Sequence, residues 1–391
     1  MEDRSTVENG SDSGGPIGDP SDSPPASEQP IAENEFDQAL KDAKAGKLIL
    51  NAGRDQNTGE VTFKILSDQV RAAIASGIKK VEVRTEIAIL EFPVSLFTDL
   101  DKPAEVIIGV SKVEPTALPA DVRARVGNNA VFDFNLSVGG KNITEFGANH
   151  VRITFPYSLK DGEKPGQVVI YYIADNGSLE VIKNGRYNSK TGMMEFKAKH
   201  FSKYAAVPVT VSFADLHQAS WAADSIAALA ARSIVKGASV ESFLPKKDVT
   251  RAEYVQMLVQ TLDLQADGTG ESFSDVKADA WYESSIITAQ ALAIINGKED
   301  GTFGVNEKIS RQDMAVMTYR ALEAAGVTLE LSNGDERFAD ESAISSYARE
   351  AVTAMQKAGI INGMPSGEYA PYESANRAQA AVILYRILNQ I

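Results

Sequence analysis

Three arginines recur at one place in a repeated four-residue unit: Thr250-Arg251-Ala252-Glu253, Ser310-Arg311-Gln312-Asp313 and Asn376-Arg377-Ala378-Gln379. The outer residues have a local explanation. A hydroxyl or amide oxygen that accepts from the third helical amide, with an acid or amide reaching back, forms a capping box. Thr250 with Glu253 has the full pattern, Ser310 with Asp313 has a shorter acid, and Asn376 with Gln379 is a neutral version. The arginine has no such explanation. It falls on the first helical position, at the positive end of the helix dipole, where an exposed cation costs about 0.3–1 kcal/mol. A guanidinium beside free helix-terminal amides makes a site for a carboxylate or phosphate, and it grips a planar carboxylate in a two-pronged way that lysine does not match. The other reading is an internal ion pair with Asp215, Asp275 or Asp340.

The same segments carry further landmarks in fixed order. Each opens on Phe-x-Asp: Phe213 and Asp215, Phe273 and Asp275, Phe338 and Asp340. The phenylalanines are expected in the core. An aromatic follows eight or nine residues later (Trp221, Trp281, Tyr347), then a helical pattern. Aromatic faces of this kind stack on sugars or support a groove wall. Gly237, Gly297 and Gly363 fall just past that helix, where a left-handed residue is expected. An extended stretch with Phe243, Phe303 or Tyr369 leads to the second helix and its arginine.

These residues resemble S-layer homology (SLH) domains, in three copies covering nearly half the chain. The resemblance implies an all-α pseudo-trimer of three repeats around a three-helix bundle, monomeric, with grooves between repeats. It also implies non-covalent anchoring of a surface protein to the bacterial cell wall, by binding secondary cell wall polysaccharide that is linked to peptidoglycan and often pyruvylated. Arg251, Arg311, Arg377, Trp221, Trp281, Tyr347, Glu253 and Asp313 would be the polysaccharide-binding residues. Phe213, Asp215, Phe273, Asp275, Phe338, Asp340, Gly237, Gly297, Gly363, Thr250, Ser310 and Asn376 would form the structural motif. The location implied is extracellular, at the cell wall or S-layer. No cofactor, metal, nucleic acid or membrane insertion is implied. A pyruvate ketal presents the carboxylate that a guanidinium suits. The copies are unequal: the third has Gln379 for an acid, and the second has Val305 where the others have Pro245 and Pro371. One or two grooves are therefore expected to dominate. Alanine at Arg251 or Arg311 is expected to weaken polymer retention with little change in melting temperature.

The elements that position these residues divide the 391-residue chain into zones. Residues 1–35 are rich in Ser, Pro, Gly and acid and cannot bury enough surface to offset ordering entropy, so they read as a disordered linker, which predicts a longer reading frame upstream. Residues 36–210 read as a β-rich, sandwich-like α+β module. Its pattern predicts short helices over 36–45, over 67–76 with Ser67 as cap and Gly77 as stop, and over 121–126. Strands are expected over 47–52, 60–66, 79–85, 87–92 and 104–113, with a turn at 53–59. From Ala130 a β-meander is expected, with an Asp175-Asn176-Gly177 hairpin turn. Repeats then occupy 211–270, 271–335 and 336–391. Asn333-Gly334-Asp335 reads as a turn.

Composition narrows the alternatives. A formal charge of −14 argues against broad attraction to nucleic acid or anionic lipid. With no cysteine and three histidines, thiolate chemistry is excluded and a histidine-rich zinc site nearly so. No phosphate-loop, Gly-x-Ser-x-Gly or His-Glu-x-x-His pattern occurs. His200-Phe201-Ser202 matches the cleavage tripeptide of autoproteolytic ZU5-type domains, which would break the Phe201–Ser202 bond. The main reading is a binding protein and not an enzyme. The alternatives are a cell-wall or polysaccharide-active glycosidase with an SLH anchor, and an S-layer lattice protein.

Overall fold

The computed structural model describes residues 30–52, 61–97, 103–147, 149–266, 273–332, 334 and 337–390. The 53–59 turn, Asn333, Asp335 and all but the end of the 1–35 linker lie outside the described residues. Glu33 to Glu35, placed in that linker by composition, instead open helix α1 (Glu33–Lys41), which buries Phe36 against the module.

Thirteen strands follow among the described residues: β1 (Lys47–Asn51), β2 (Val61–Leu66), β3 (Lys80–Arg84), β4 (Ile89–Pro93), β5 (Glu105–Val113), β6 (Val131–Val138), β7 (Lys141–Asn142), β8 (Val151–Pro156), β9 (Val168–Ile173), β10 (Leu179–Ile182), β11 (Arg186–Asn188), β12 (Met193–Ala198) and β13 (Lys203–Pro208). They form two sheets, ordered β1-β3-β4-β8-β12-β11 and β10-β9-β13-β6-β5-β2, with β7 on β6. Period-two alternation turns Leu90, Ile153 and Phe196 of one sheet and Phe134, Ile170 and Tyr204 of the other into a single core. The module is thus a sandwich with helices α2 (Ser67–Ala75) and α3 (Ala120–Val126) at its margins. The expected meander is corrected. From β6 on, the chain crosses between sheets after β7, β8, β10 and β12, and its local hairpins are β6–β7, β9–β10 and β11–β12. Alternation marks which residues face inward but carries no label for the sheet they join. Ser67 is also not the cap of α2. It is the first helical residue, and its buried hydroxyl accepts from Ala104 N–H, 3.0 Å away, tying the helix to the start of β5.

The C-terminal part holds α4 (Ala223–Ala231), α5 (Arg251–Leu262), α6 (Glu283–Ala291), α7 (Arg311–Ala324), α8 (Arg349–Lys357) and α9 (Arg377–Leu388). Their apolar residues share one core. Helix α5 packs against both α7 and α9, and the short helices lie outside: α4 on α9, α6 on α5, α8 on α7. Just before the long helices three backbone bonds close a triangle: Val249 N–H to Ala375 O (2.9 Å), Ala375 N–H to Ile309 O (2.9 Å) and Ile309 N–H to Val249 O (3.0 Å). Each repeat is thereby stitched to both others.

The expected left-handed glycines are also corrected. The left-handed residues after α4, α6 and α8 are Ser233 (φ 56°), Ala293 (φ 55°) and Gly359 (φ 70°), four positions earlier. Gly237, Gly297 and Gly363 serve close packing. A Cβ on Gly237 would stand 2.6 Å from the Phe213 ring, one on Gly297 2.4 Å from Phe273, and one on Gly363 3.1 Å from Phe338. The Phe-x-Asp rings lie against this bare backbone and pack on Phe243, Phe303 and Tyr369, with ring centres 5.1–5.6 Å apart. Phe338 is buried, and Phe213 and Phe273 are partly so.

The two parts are docked through a buried cation. Arg232, just past α4, is 1% exposed and has no carboxylate partner among the described residues. Its Nε donates to Gly185 O (2.9 Å), Nη1 to Gly166 O (2.5 Å) and Ala228 O (2.8 Å), and Nη2 to Val168 O (3.1 Å). Burial lowers its pKa to about 10, so it stays charged at neutral pH. Ala231 joins a second cluster on the outer side of the β9 sheet. Asp263, at the end of α5, accepts from Lys199 Nζ (2.6 Å) and Asn184 Nδ2 (3.3 Å) of the module.

Candidate functional site: grooves shared between repeats

The motif helices begin as the sequence pattern predicts. Thr250 Oγ1 accepts from Glu253 N–H at 3.2 Å, and Thr250 N–H donates back to the Glu253 carboxylate at 2.8 Å. Asn376 and Gln379 make the same box, both bonds 3.0 Å. Asp313 is too short to complete it. Its N–H donates to Ser310 Oγ (3.1 Å), and its carboxylate accepts from the Ser310 hydroxyl (2.7 Å) and from Tyr347 Oη (2.7 Å).

Each arginine reaches into the next repeat. Arg251 Nε donates to Phe303 O (2.9 Å), Arg311 Nε to Tyr369 O (2.7 Å) and Arg377 Nε to Phe243 O (2.9 Å). Each guanidinium also lies over the ring of the same residue, with its carbon 4.3–4.9 Å from the ring centre. The internal ion-pair reading does not hold, because the aspartates have other work. Asp215 accepts the N–H groups of Phe243 and Leu244, Asp275 those of Phe303, Gly304 and Val305, and Asp340 those of Tyr369 and Ala370. Burial alone would raise the Asp215 and Asp275 carboxyls, but these donated bonds outweigh it and hold both below the ordinary value. Leu244 (φ 59°), Gly304 (φ 80°) and Ala370 (φ 55°) are left-handed here, so the carboxylate holds the loop in the shape that turns the aromatic carbonyl toward the arginine.

The expectation of free helix-terminal amides is corrected. The N–H groups of Arg251, Arg311 and Arg377 donate to Glu307 O, Glu373 O and Lys247 O, and those of Ala252, Gln312 and Ala378 to Val305 O, Pro371 O and Pro245 O. The third amide is taken by the cap. The helix ends therefore leave no free amide beside the guanidinium. For Arg251 and Arg311 both terminal nitrogens have no hydrogen-bond partner among the described residues. Arg377 differs: its Nη2 donates to Lys236 O at 2.6 Å.

The aromatics face outward, with Trp221 61%, Trp281 56% and Tyr347 54% exposed. One groove, of about 580 Å3, brings Trp281, Arg377 and Glu253 to the Gly237 loop. A second, of about 440 Å3, brings Trp221, Arg311 and Gln379 to the Gly363 loop. In both, one repeat supplies the loop and long helix, the preceding one in the cycle the arginine, and the remaining one the aromatic. By the same cycle Arg251, Phe303, Asp313 and Tyr347 belong together, and there the Tyr347–Asp313 bond spans the two sides. Sequence reading missed Arg386, which lines the second groove and donates from Nη1 to Ile360 O at 2.9 Å. Its spacing of seven from Gln379 placed it on the same helix face. It also missed the carbonyls of Phe243, Phe303 and Tyr369, which no side-chain pattern reveals.

Of the autoproteolytic tripeptide, Phe201 packs against Phe92 and Phe146, and His200 Nδ1 lies 3.3 Å from Tyr204 Oη with its ring against Tyr172. Among the described residues no His, Asp and Glu cluster could hold a metal ion, and no helix is long and apolar enough to cross a membrane.

The S-layer homology domain model matches residues 212–255, 272–315 and 337–381. An amylopullulanase of Thermoanaerobacterium thermosulfurigenes is 34% identical over 66% of this chain and 14% of its own length. Its 261 aligned residues exceed what the three repeats supply, so the likeness enters the β module. A surface-layer 125 kDa protein of Lysinibacillus sphaericus is 28% identical over 48% of this chain and 16% of its own. A cellulosome-anchoring protein of Acetivibrio thermocellus is 25% identical over 40% and 35%. The chain spans well under half the length of each of these curated relatives.

Proposed function

We infer that this chain, which carries three S-layer homology domains, works at the cell surface and anchors a surface protein to the cell wall by holding an acidic secondary wall polysaccharide in the grooves between repeats. The observation that supports this most is the pairing of an outward aromatic with a guanidinium whose terminal nitrogens have no partner among the described residues, at Trp221 with Arg311. The aromatic offers a stacking face for a sugar ring, and the guanidinium offers two parallel donors for a carboxylate such as a pyruvate ketal. The triangle of backbone bonds and the packing of α5 on α7 and α9 support a monomeric pseudo-trimer around a three-helix bundle. Several weak sites on one rigid body, facing a repeating polymer, gain avidity through effective concentration. The test is retention on wall polysaccharide before and after removal of the ketal. Retention lost with the ketal supports the reading; equal retention overturns the arginine's role in it.

A second reading is a glycan-active enzyme tethered by this anchor, favoured by the reach of the amylopullulanase match into the β module. New reducing ends from labelled wall polymer would decide for it; retention without product would decide for a spacer or display module.

A further inference from the structure

The groove at Trp281 has a wall that the repeats do not supply. Lys183, in the turn between β10 and β11, lines it together with Lys236, Lys247, Glu253, Trp281 and Arg377. That turn passes from the edge of one sheet to the edge of the other, and both residues after the lysine are pinned to the C-terminal part. Asn184 is buried. Its Nδ2 donates to Asp263 and to Lys197 O, and its Oδ1 accepts from Lys197 N–H at 2.9 Å. Gly185 O accepts from Arg232. The half-buried Lys183 is thereby held over the groove. It makes no ion pair or hydrogen bond among the described residues. Its nearby acid Asp263 is already engaged by Lys199 and Asn184.

This groove also differs from the one at Trp221 in its charges. Arg377 gives Nη2 to Lys236 O, so it keeps fewer free donors than Arg311. Three lysines stand around it, against the single acid Glu253, whose nearest approach to Lys247 is 4.0 Å. Lysine ammoniums act as point charges and do not need the planar geometry of a carboxylate fork. A local excess of cations in a chain of net charge −14 makes this groove a place where an anion concentrates.

We propose that the β module completes this groove, with Lys183, Lys236 and Lys247 forming a subsite for a second anionic group, carboxylate or phosphate, on the polysaccharide held at Arg377 and Trp281. The proposal rests on the anchoring function inferred above. On it the module sets ligand choice, and this groove prefers a polymer carrying more than one acidic substituent.

The test uses the full chain and a purified, ketal-bearing wall polysaccharide, untreated, freed of ketal by mild acid, or freed of phosphate by hydrofluoric acid. Affinity is compared for wild type, Lys183→Ala, Lys183→Glu, Arg377→Ala and Arg311→Ala. Lys183→Ala should weaken binding about threefold and Lys183→Glu about tenfold, since a like charge replaces an attractive one at a desolvated edge. In parallel, trace acetylation of Lys183 should be suppressed by the untreated polymer, while the exposed Lys112 of β5 serves as the unprotected control. Whichever treatment abolishes the Lys183 effect identifies the anion. Unchanged affinity in both Lys183 variants, with equal acetylation, overturns the subsite; if the arginine variants still weaken binding, the anchor reading survives alone. If no variant weakens binding, both fail.

Discussion

With Nε bonded to a backbone carbonyl and its plane laid on an aromatic ring, each motif arginine has its remaining donors, two nitrogens on Arg251 and Arg311 and Nη1 on Arg377, fixed in place before any ligand arrives. That preorganisation reduces the ordering cost of binding, and it gives the arginine a second role in joining neighbouring repeats. The expectation that alanine leaves the melting temperature nearly unchanged is therefore revised. Arg311 is 6% exposed, and its loss leaves Tyr369 O without its donor and exposes the ring beneath. Arg311→Ala should cost about 1–3 kcal/mol, the range for an unsatisfied buried acceptor. Arg251, more exposed, should cost less. Urea denaturation beside polymer retention separates the roles: for Arg251→Ala, retention should fall by more than the stability change explains. The arginine was legible in the sequence because a cation at a helix N-terminus runs against the dipole three times over. Its carbonyl partner was not, because backbone acceptors carry no residue signature.

The loop that presents that carbonyl is an element with its own logic. A carboxylate gathers two or three amides, a left-handed residue turns the chain, and a phenylalanine ring rests on a bare glycine. Alanine at Gly237 would place its Cβ 2.3 Å from Ser239 O and 2.6 Å from the Phe213 ring, whereas at Gly363 the nearest atoms stand 3.0 and 3.1 Å away. Gly237→Ala and Gly297→Ala should destabilise by about 1–3 kcal/mol, as overpacking does, and Gly363→Ala by less; chemical denaturation of the three variants tests the ranking. The spacing marked these glycines but suggested a left-handed turn, since a glycine recurring past a helix fits either cause. The same loops should be acid-sensitive. Asp215 and Asp275 titrate lower folded than unfolded, so their stabilisation is complete above the ordinary aspartate value, near 4, and is lost as pH falls through the depressed folded value. Melting temperature should therefore fall as pH drops below about 4, and less steeply in Asp275→Asn.

At the scale of the whole molecule, the β module and the repeats are joined through Arg232, whose four bonds all run to carbonyls, three of them in the module. Arg232→Met keeps much of the volume but strands those acceptors at about 1–3 kcal/mol each. Calorimetry should show the unfolding of the two parts separating, and amide exchange should rise around 183–186; one unchanged transition would count against the coupling. Little of this docking was legible. Arg232 sits in no motif, and a charged residue after a helix reads as solvated surface until a neighbouring domain is placed on it. The repeat order and the landmark residues were legible because they recur. The routing of thirteen strands between two sheets was not, because sheet partnership is a long-range property.

The circular handing-on of arginine, loop and aromatic has a consequence for how such an anchor can change. No repeat owns a groove; each is assembled from all three. Deleting any one repeat would therefore abolish every groove at once, so binding should switch on only with the third copy present. A substitution in one copy, in turn, is felt at as many as three places around the ring.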